Sequence, residues 1–323
     1  MNWQLDSIKS DEFNSDTLNT GLWHVLDCPS GDCCNWGGGE AYQKGNVTVS
    51  GGSLTLRTDG PGYAPVPCDR ETFATGGIVS DSSNYSYGYY EIYAKLPGFY
   101  VNGVPCGEKF QPGYWMAYEV SDTSCISIHN EIDPVVQTSV QYKYADTILA
   151  GWSYQNGHCS DATVGSGTYY SSTPLFTSFH KYALEWNTNC IIFLVDDKPF
   201  FEGYNSPTMT MHPLKLYINS GLNDSSAHFN PATPFPQYML IDYFHYYKLK
   251  LDCGTATTLL TNADLASYTY SVKSSITFGN SNDSISLNSG DVKYFRAVNS
   301  ITINGTFTAP LGSEFGLLPS PCN

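Results

Sequence analysis

The sequence predicts an all-β protein of sandwich or barrel type, and three observations predict it. Almost every apolar stretch alternates at period two or forms a short β-branched run, turn residues separate these stretches, and no amphipathic helix exceeds two turns. In chain order, Ser53–Arg57 and Tyr89–Lys95 alternate, Ile191–Val195 is a continuous apolar run, and Leu214–Ile218 and Met239–Tyr247 alternate again. Gly51–Gly52, Asp59–Gly62, Asp196–Asp197 and Asn280–Asp283 supply the turn chemistry between strands. Asn262–Ala266 has room for a single helical turn.

The text changes near Leu251. Residues 1–250 read as one large sandwich of long strands and long loops. Residues 251–323 read as a small β module, with short strands at Ser274–Gly279, Ser284–Gly290, Val292–Ala297, Ser300–Gly305 and Gly312–Phe315. Such a module leaves little room for a pocket.

Composition narrows the function classes. The 323 residues carry 15 Lys+Arg against 30 Asp+Glu, a formal charge of −15, so clustered phosphate contacts to nucleic acid are not expected. Apolar residues make up 41 % and aromatics 15 %, which fills a core and argues against disorder. No run of 18 apolar residues occurs, so no membrane span is expected, and the opening residues lack the basic and apolar regions of a signal peptide. A surface low in charge and rich in Tyr, Asn, Ser, Thr and Gly hydrogen-bonds without ionising, which suits sugar ligands and an extracellular setting.

The 10 cysteines are scattered and form no repeated CxxC pair, which disfavours a zinc ribbon and fits structural disulfides in an oxidising compartment. Cys253 and Cys322 bracket the C-terminal segment and offer a local pair; adjacent Cys33 and Cys34 each need a distant partner.

One segment carries the chemistry. His129–Gln137 sets Glu131 and Asp133 two apart in strand-like text, hence on one face of a sheet. Two carboxylates on one face repel, which raises one pKa, and paired carboxylates do the acid–base work of glycoside cleavage.

Ordered blocks around this pair resemble glycoside hydrolase family 16, the laminarinase, lichenase and agarase-like enzymes. Ser10–Asn14 with Trp23 resembles the family's opening strand. Ala74–Val79 followed by Tyr85–Pro97, Pro112–Met116, Phe179–Trp186 followed by Ile192–Lys198, and Asp242–Tyr247 resemble successive blocks along about 240 residues. The resemblance implies a β-jelly-roll sandwich of two antiparallel sheets with an open cleft, and a retaining mechanism on a β-linked polysaccharide, a β-glucan or galactan. It makes Glu131 the nucleophile and Asp133 the residue that tunes it. The family's second Glu, the acid/base, follows the Asp by two or three residues. Here those positions hold Val135 and Val136, with Gln137 the nearest polar candidate.

An amide cannot give up a proton to a leaving oxygen. Glu131 and Gln137 would lie about 20 Å apart in an unbroken strand, and Pro134 makes a bulge plausible between them. Three readings follow: an engineered Glu→Gln change that traps substrate, a non-catalytic carbohydrate-binding protein on a degenerate hydrolase fold, or another acid such as Glu119 or Asp122 supplying the proton. The stretch Thr147–Tyr154 also lacks the His that the family carries near its site.

The resemblance makes Trp36, Tyr114, Trp115, Trp152 and Tyr154 cleft-lining platforms for sugar rings. It implies no required cofactor and a possible structural calcium near Asp242, where oxygen ligands suit a hard cation. The expected partner is a polysaccharide or oligosaccharide, and the chain is expected to be secreted and to act as a monomer. Ser284–Cys322 resembles a small β-stack found behind catalytic domains of secreted bacterial proteins, where its role would be stabilising, anchoring or sorting.

Overall fold

The computed structural model describes residues 3–27, 40–60, 73–82, 85–106, 110–120, 128–136, 144–155, 158–186, 190–204, 213–222, 233–268, 271–319 and 322. They form two compact units: residues 7–246, and residues 247–323 together with residues 1–6.

The larger unit is a two-sheet sandwich. One sheet has seven strands in the spatial order His158–Tyr170, Tyr144–Gln155, Ile128–Val136, Phe110–Val120, Lys215–Leu222, Gly77–Ser80 and Trp23–Val25. Every neighbouring pair in it is antiparallel. The second sheet is ten-stranded, with Gly88–Lys95 between His180–Trp186 and Gln237–Leu249 at its centre. Its pairing includes one parallel contact, Glu40–Tyr42 against Phe73–Thr75.

Strand alternation builds the core. Tyr90, Ile92 and Ala94 from the ten-stranded sheet, and Tyr114, Met116 and Ile132 from the seven-stranded sheet, are fully buried in one cluster. Their neighbours one step along each strand lie on the opposite face. Burying so many large side chains supplies most of the driving force, at about 1.5–3 kcal/mol each.

The smaller unit departs from the sandwich pattern. Leu251–Leu259, Val272–Phe278, Val292–Ile303 and Glu314–Pro319 form a four-stranded sheet in which every neighbouring pair is parallel. Ser284–Ser286 and Thr306–Thr308 pair in parallel as well. The chain therefore coils, returning to the same sheet in the same direction, and fills the coil with Ile276, Phe278, Ile285, Leu287 and Phe295. The expected helical turn forms as Asn262–Ser267, held by a capping box between Thr261 and Asp264. Cys253 and Cys322 form the expected disulfide.

Candidate active site

The Ile128–Val136 strand lies between Phe110–Val120 and Tyr144–Gln155 in the seven-stranded sheet. Its register begins regularly, with Glu131 opposite Ala117 and Ile132 opposite Met116. It then slips: Val135 is opposite Tyr114, so three steps along this strand match two along its neighbour. The other neighbour records the same extra residue, with Ile132 opposite Leu149 and Val136 opposite Asp146. A β-bulge thus occupies Asp133–Pro134, where proline's missing N–H removes nothing from the ladder.

The bulge resets the alternation. Ile132 and Val135 both enter the core, so the opposite face carries Glu131, Asp133 and then position 136. The acid/base position implied by the family pattern therefore falls on Val136. Gln137 lies outside the described residues, as do Asp122 and Trp36.

Asp133 is only 2 % exposed. Burial is the largest cause that pushes its carboxyl well above the ordinary range, and the charge of Glu131 and a hydrogen bond to the Glu131 side chain raise it further. Asp133 Oδ1 has no hydrogen-bond partner among the described residues. An unpartnered oxygen is tolerable on a neutral carboxyl and costly on a carboxylate. The raised pKa favours the neutral form of the Asp133 carboxyl, which hydrogen-bonds the Glu131 side chain.

Trp115 lies on the same face, two residues from Ala117, the partner of Glu131. Its Nε1 donates to Asn219 Oδ1 at 2.8 Å, and its ring stacks on Tyr217 with centroids 4.3 Å apart and planes 16° from parallel. Gly113 makes this possible, since a Cβ there would stand 2.4 Å from Asn219 Oδ1 and 2.8 Å from the Trp115 ring. Trp115 is held in one orientation by a cross-strand pair and a hydrogen bond.

Tyr114 is corrected. It was expected in the cleft, yet it is fully buried in the sandwich core. Adjacent strand residues face opposite ways, so Tyr114 and Trp115 cannot both line one face. Tyr217 and Asn219 escaped the sequence reading, although Leu216 and Ile218 alternate with them and take the core positions. By register, positions 152 and 154 share the face of Ala150, which is opposite Glu131, so Trp152 and Tyr154 belong to strand positions beside the pair.

Asp242 is exposed, and no group of three His, Cys, Asp or Glu side chains able to hold a metal assembles among the described residues.

The two stacked sheets form a jelly roll, and the carboxylate pair and Trp115 lie on one face of its seven-stranded sheet. The model for glycosyl hydrolases family 16 matches residues 34–243, more than half of the chain, and the chain belongs to that family. A curated relative, glucan endo-1,3-beta-glucosidase A1 of Niallia circulans, is 25 % identical over 76 % of this chain and 38 % of its own length. The clotting factor G alpha subunit of Tachypleus tridentatus is 24 % identical over 76 % of this chain and 34 % of its own length. The chain thus spans little more than a third of these relatives.

Among solved structures, the laminarinase catalytic domain of Thermotoga maritima aligns at a TM-score of 0.58 and 22 % identity, covering 76 % of this chain and 98 % of that one. A kappa-carrageenase of Zobellia galactanivorans aligns at 0.58 and 19 % identity, covering 77 % and 96 %. At such identities these two show the shared fold.

Proposed function

We propose that this chain hydrolyses a β-linked polysaccharide, a β-glucan before a galactan, with retention at the anomeric carbon. The observation that carries this reading is Asp133, buried, with its pKa raised, against Glu131 on one face of the seven-stranded sheet. Glu131 attacks the anomeric carbon while the glycosidic C–O bond breaks and a proton passes to the leaving oxygen. Water then attacks the glycosyl-enzyme and releases the sugar. Asp133 acts through Glu131 as a positioning residue, lending it a hydrogen bond. Trp115, 7 % exposed and stacked on Tyr217, gives this face an ordered aromatic patch beside the pair. The named activity of the Niallia circulans relative favours a β-1,3-glucan as first substrate. The Cys253–Cys322 disulfide fits an oxidising, extracellular setting.

The proton donor in this reading is Glu119. Ala117 is opposite Glu131 and Glu119 is opposite His129, so position 119 is one diagonal step from Glu131 on its own face. Diagonal neighbours are about 7–8 Å apart, a spacing from which two side chains can reach the 5–5.5 Å of a retaining pair. Asp146, opposite Val136, is four residues along the strand from Ala150, the partner of Glu131, or roughly 13 Å away.

Incubation with β-1,3-, β-1,4- and mixed-linkage glucans and galactans, followed by chromatography, tests the activity. Oligosaccharide release is expected, and binding without release would establish the non-catalytic reading. Glu119→Gln is expected to lower hydrolysis of polymer by about 10²–10⁴-fold. It should spare cleavage of an aryl glycoside whose phenol leaves without protonation. If Asp146→Asn gives that pattern and Glu119→Gln does not, the assignment moves to Asp146.

A further inference from the structure

The ten-stranded sheet of the larger unit carries a depression unconnected with the carboxylate pair. It encloses about 490 Å³ and is lined by ends of the Gly88–Lys95 and Gln237–Leu249 strands, by Leu96 and Gly98–Tyr100, and by Phe176 and Thr177. This volume lies within the range of small-molecule sites, about 300–1,000 Å³. The depression opens away from the core. Lys95 is one step from buried Ala94, and Tyr238 and Leu240 alternate with buried Met239 and Ile241. The carboxylate pair stands on the other sheet.

The floor is apolar and firmly set. Leu96 and Phe176 are buried, and a Cβ on Gly98 would stand 2.3 Å from the Phe176 ring, so this glycine lets the ring close over the backbone. Tyr100 meets Phe176 edge-on, with centroids 5.3 Å apart. Two phenol rings remain open to water at the rim: Tyr100 is 52 % exposed and Tyr238 is 45 % exposed. Hydrogen-bonding side chains share the lining with them. Gln237 donates to Pro234 O with its Nε2 and keeps its Oε1 as an acceptor, while Thr177 donates to Pro174 O and keeps its lone pairs. Lys95 is the one charged side chain among the described lining residues.

We infer that this depression is a second carbohydrate-binding site, which holds pyranose units of a neutral β-glucan chain away from the hydrolytic centre. The inference rests on the proposed activity for its choice of glycan. Exposed Tyr rings offer apolar faces to sugar C–H groups, and the amide, hydroxyl and ammonium groups read the sugar hydroxyls. Among the described residues no carboxylate lines the depression, which disfavours a cationic ligand, and their single Lys is thin provision for a regularly sulfated polymer. A polymer gripped at two sites on one molecule gains effective concentration at the second, so the site raises turnover of long chains and leaves short ones untouched.

The test uses the full chain in two arms. In the binding arm, Glu131→Gln protein migrates through native gels containing a soluble β-1,3-glucan, so that no polymer is cut. Adding Tyr100→Ala and Tyr238→Ala is expected to weaken retardation by about tenfold in apparent affinity, a change of about 1.4 kcal/mol. Both Tyr are exposed, so the fold is expected to stay intact, which a thermal melt checks. Thr177→Trp, which fills the depression without removing either ring, should have the same effect.

In the activity arm, the Tyr pair is altered in the wild-type background. Hydrolysis of the polymer falls while hydrolysis of a short aryl oligosaccharide keeps its kcat/KM. Unchanged retardation in both variants overturns the site. Retardation by a sulfated galactan but not by the neutral glucan overturns the ligand class. The binding arm needs no turnover, so absence of products in the activity assays would overturn the hydrolytic reading and leave the site to be judged by retardation alone.

Discussion

Glu131→Gln is expected to abolish hydrolysis, lowering kcat by on the order of 10⁴-fold or more, with glucan binding retained. The amide keeps the size and hydrogen-bonding capacity of the carboxyl and loses the nucleophilic charge. The substitution also reports on Asp133. Burial is the largest cause of its raised pKa, and the charge of Glu131 adds to it. Removing that charge lowers the Asp133 pKa from its wild-type position without restoring an ordinary value, because the buried setting persists. Infrared titration of the Asp133 carboxyl in the variant measures this shift. A second substitution separates chemistry from binding. With Glu131→Ala, azide should attack the anomeric carbon from the vacated side, form a C–N bond as the aryl group leaves, and yield a glycosyl azide of inverted configuration. Full activity in Glu131→Gln would remove Glu131 from the mechanism and with it the role given to Asp133.

Much of the sandwich was legible because strand alternation encodes which face is buried. Met239 and Ile241 enter the core from the Met239–Tyr247 text, and Ile218 enters it from Leu214–Ile218. The same rule, applied to neighbours, separates Tyr114 from Trp115, and the aromatic-rich text Pro112–Met116 hides that parity when both rings are read as sugar platforms. Pro134 marked the bulge, since a proline inside a central strand demands an irregularity there. Which residue the bulge then brings to the site is a matter of register across two neighbours, and no single strand's text contains it. Glu119 is in the same position: its diagonal relation to Glu131 depends on Ala117 being opposite Glu131.

The smaller unit shows what alternation leaves out. Short strands were evident, yet parallel and antiparallel strands share the same period of two. A further signal lay in the repetition of text, since Ser275-Ile-Thr-Phe278 recurs as Ser300-Ile-Thr-Ile303, and the two segments lie side by side in parallel register. Ser300 Oγ donates to Ser275 Oγ at 3.2 Å across 25 residues of sequence. Equivalent residues stacked at a fixed interval are the mark of a coil.

That coil makes the Cys253–Cys322 disulfide the most consequential bond of the smaller unit. In a stacked sheet each strand touches only its neighbours. Leu251–Leu259 and Glu314–Pro319 are the two edge strands, each paired on one side within the four-stranded sheet. The disulfide joins Cys253 in the first edge strand to Cys322, just past the second, across a sequence separation of 69. Closing a loop of that size removes chain entropy from the unfolded state worth roughly 4 kcal/mol. Replacing both cysteines by serine, so that no lone thiol remains, is expected to lower the melting temperature of this unit by roughly 15–30 °C, at 4–8 °C per kcal/mol for a domain of this size. The wild-type protein in excess reductant should shift in the same direction. The transition of the larger unit, with its own core of Tyr90, Met116 and Ile132, should move far less. Calorimetry separates the two transitions. If the smaller unit melts unchanged without the bond, its stability resides in the Phe278, Phe295 and Phe307 rings, which meet edge to face at 4.7 Å and 5.2 Å, and the disulfide is a passive consequence of an already closed coil.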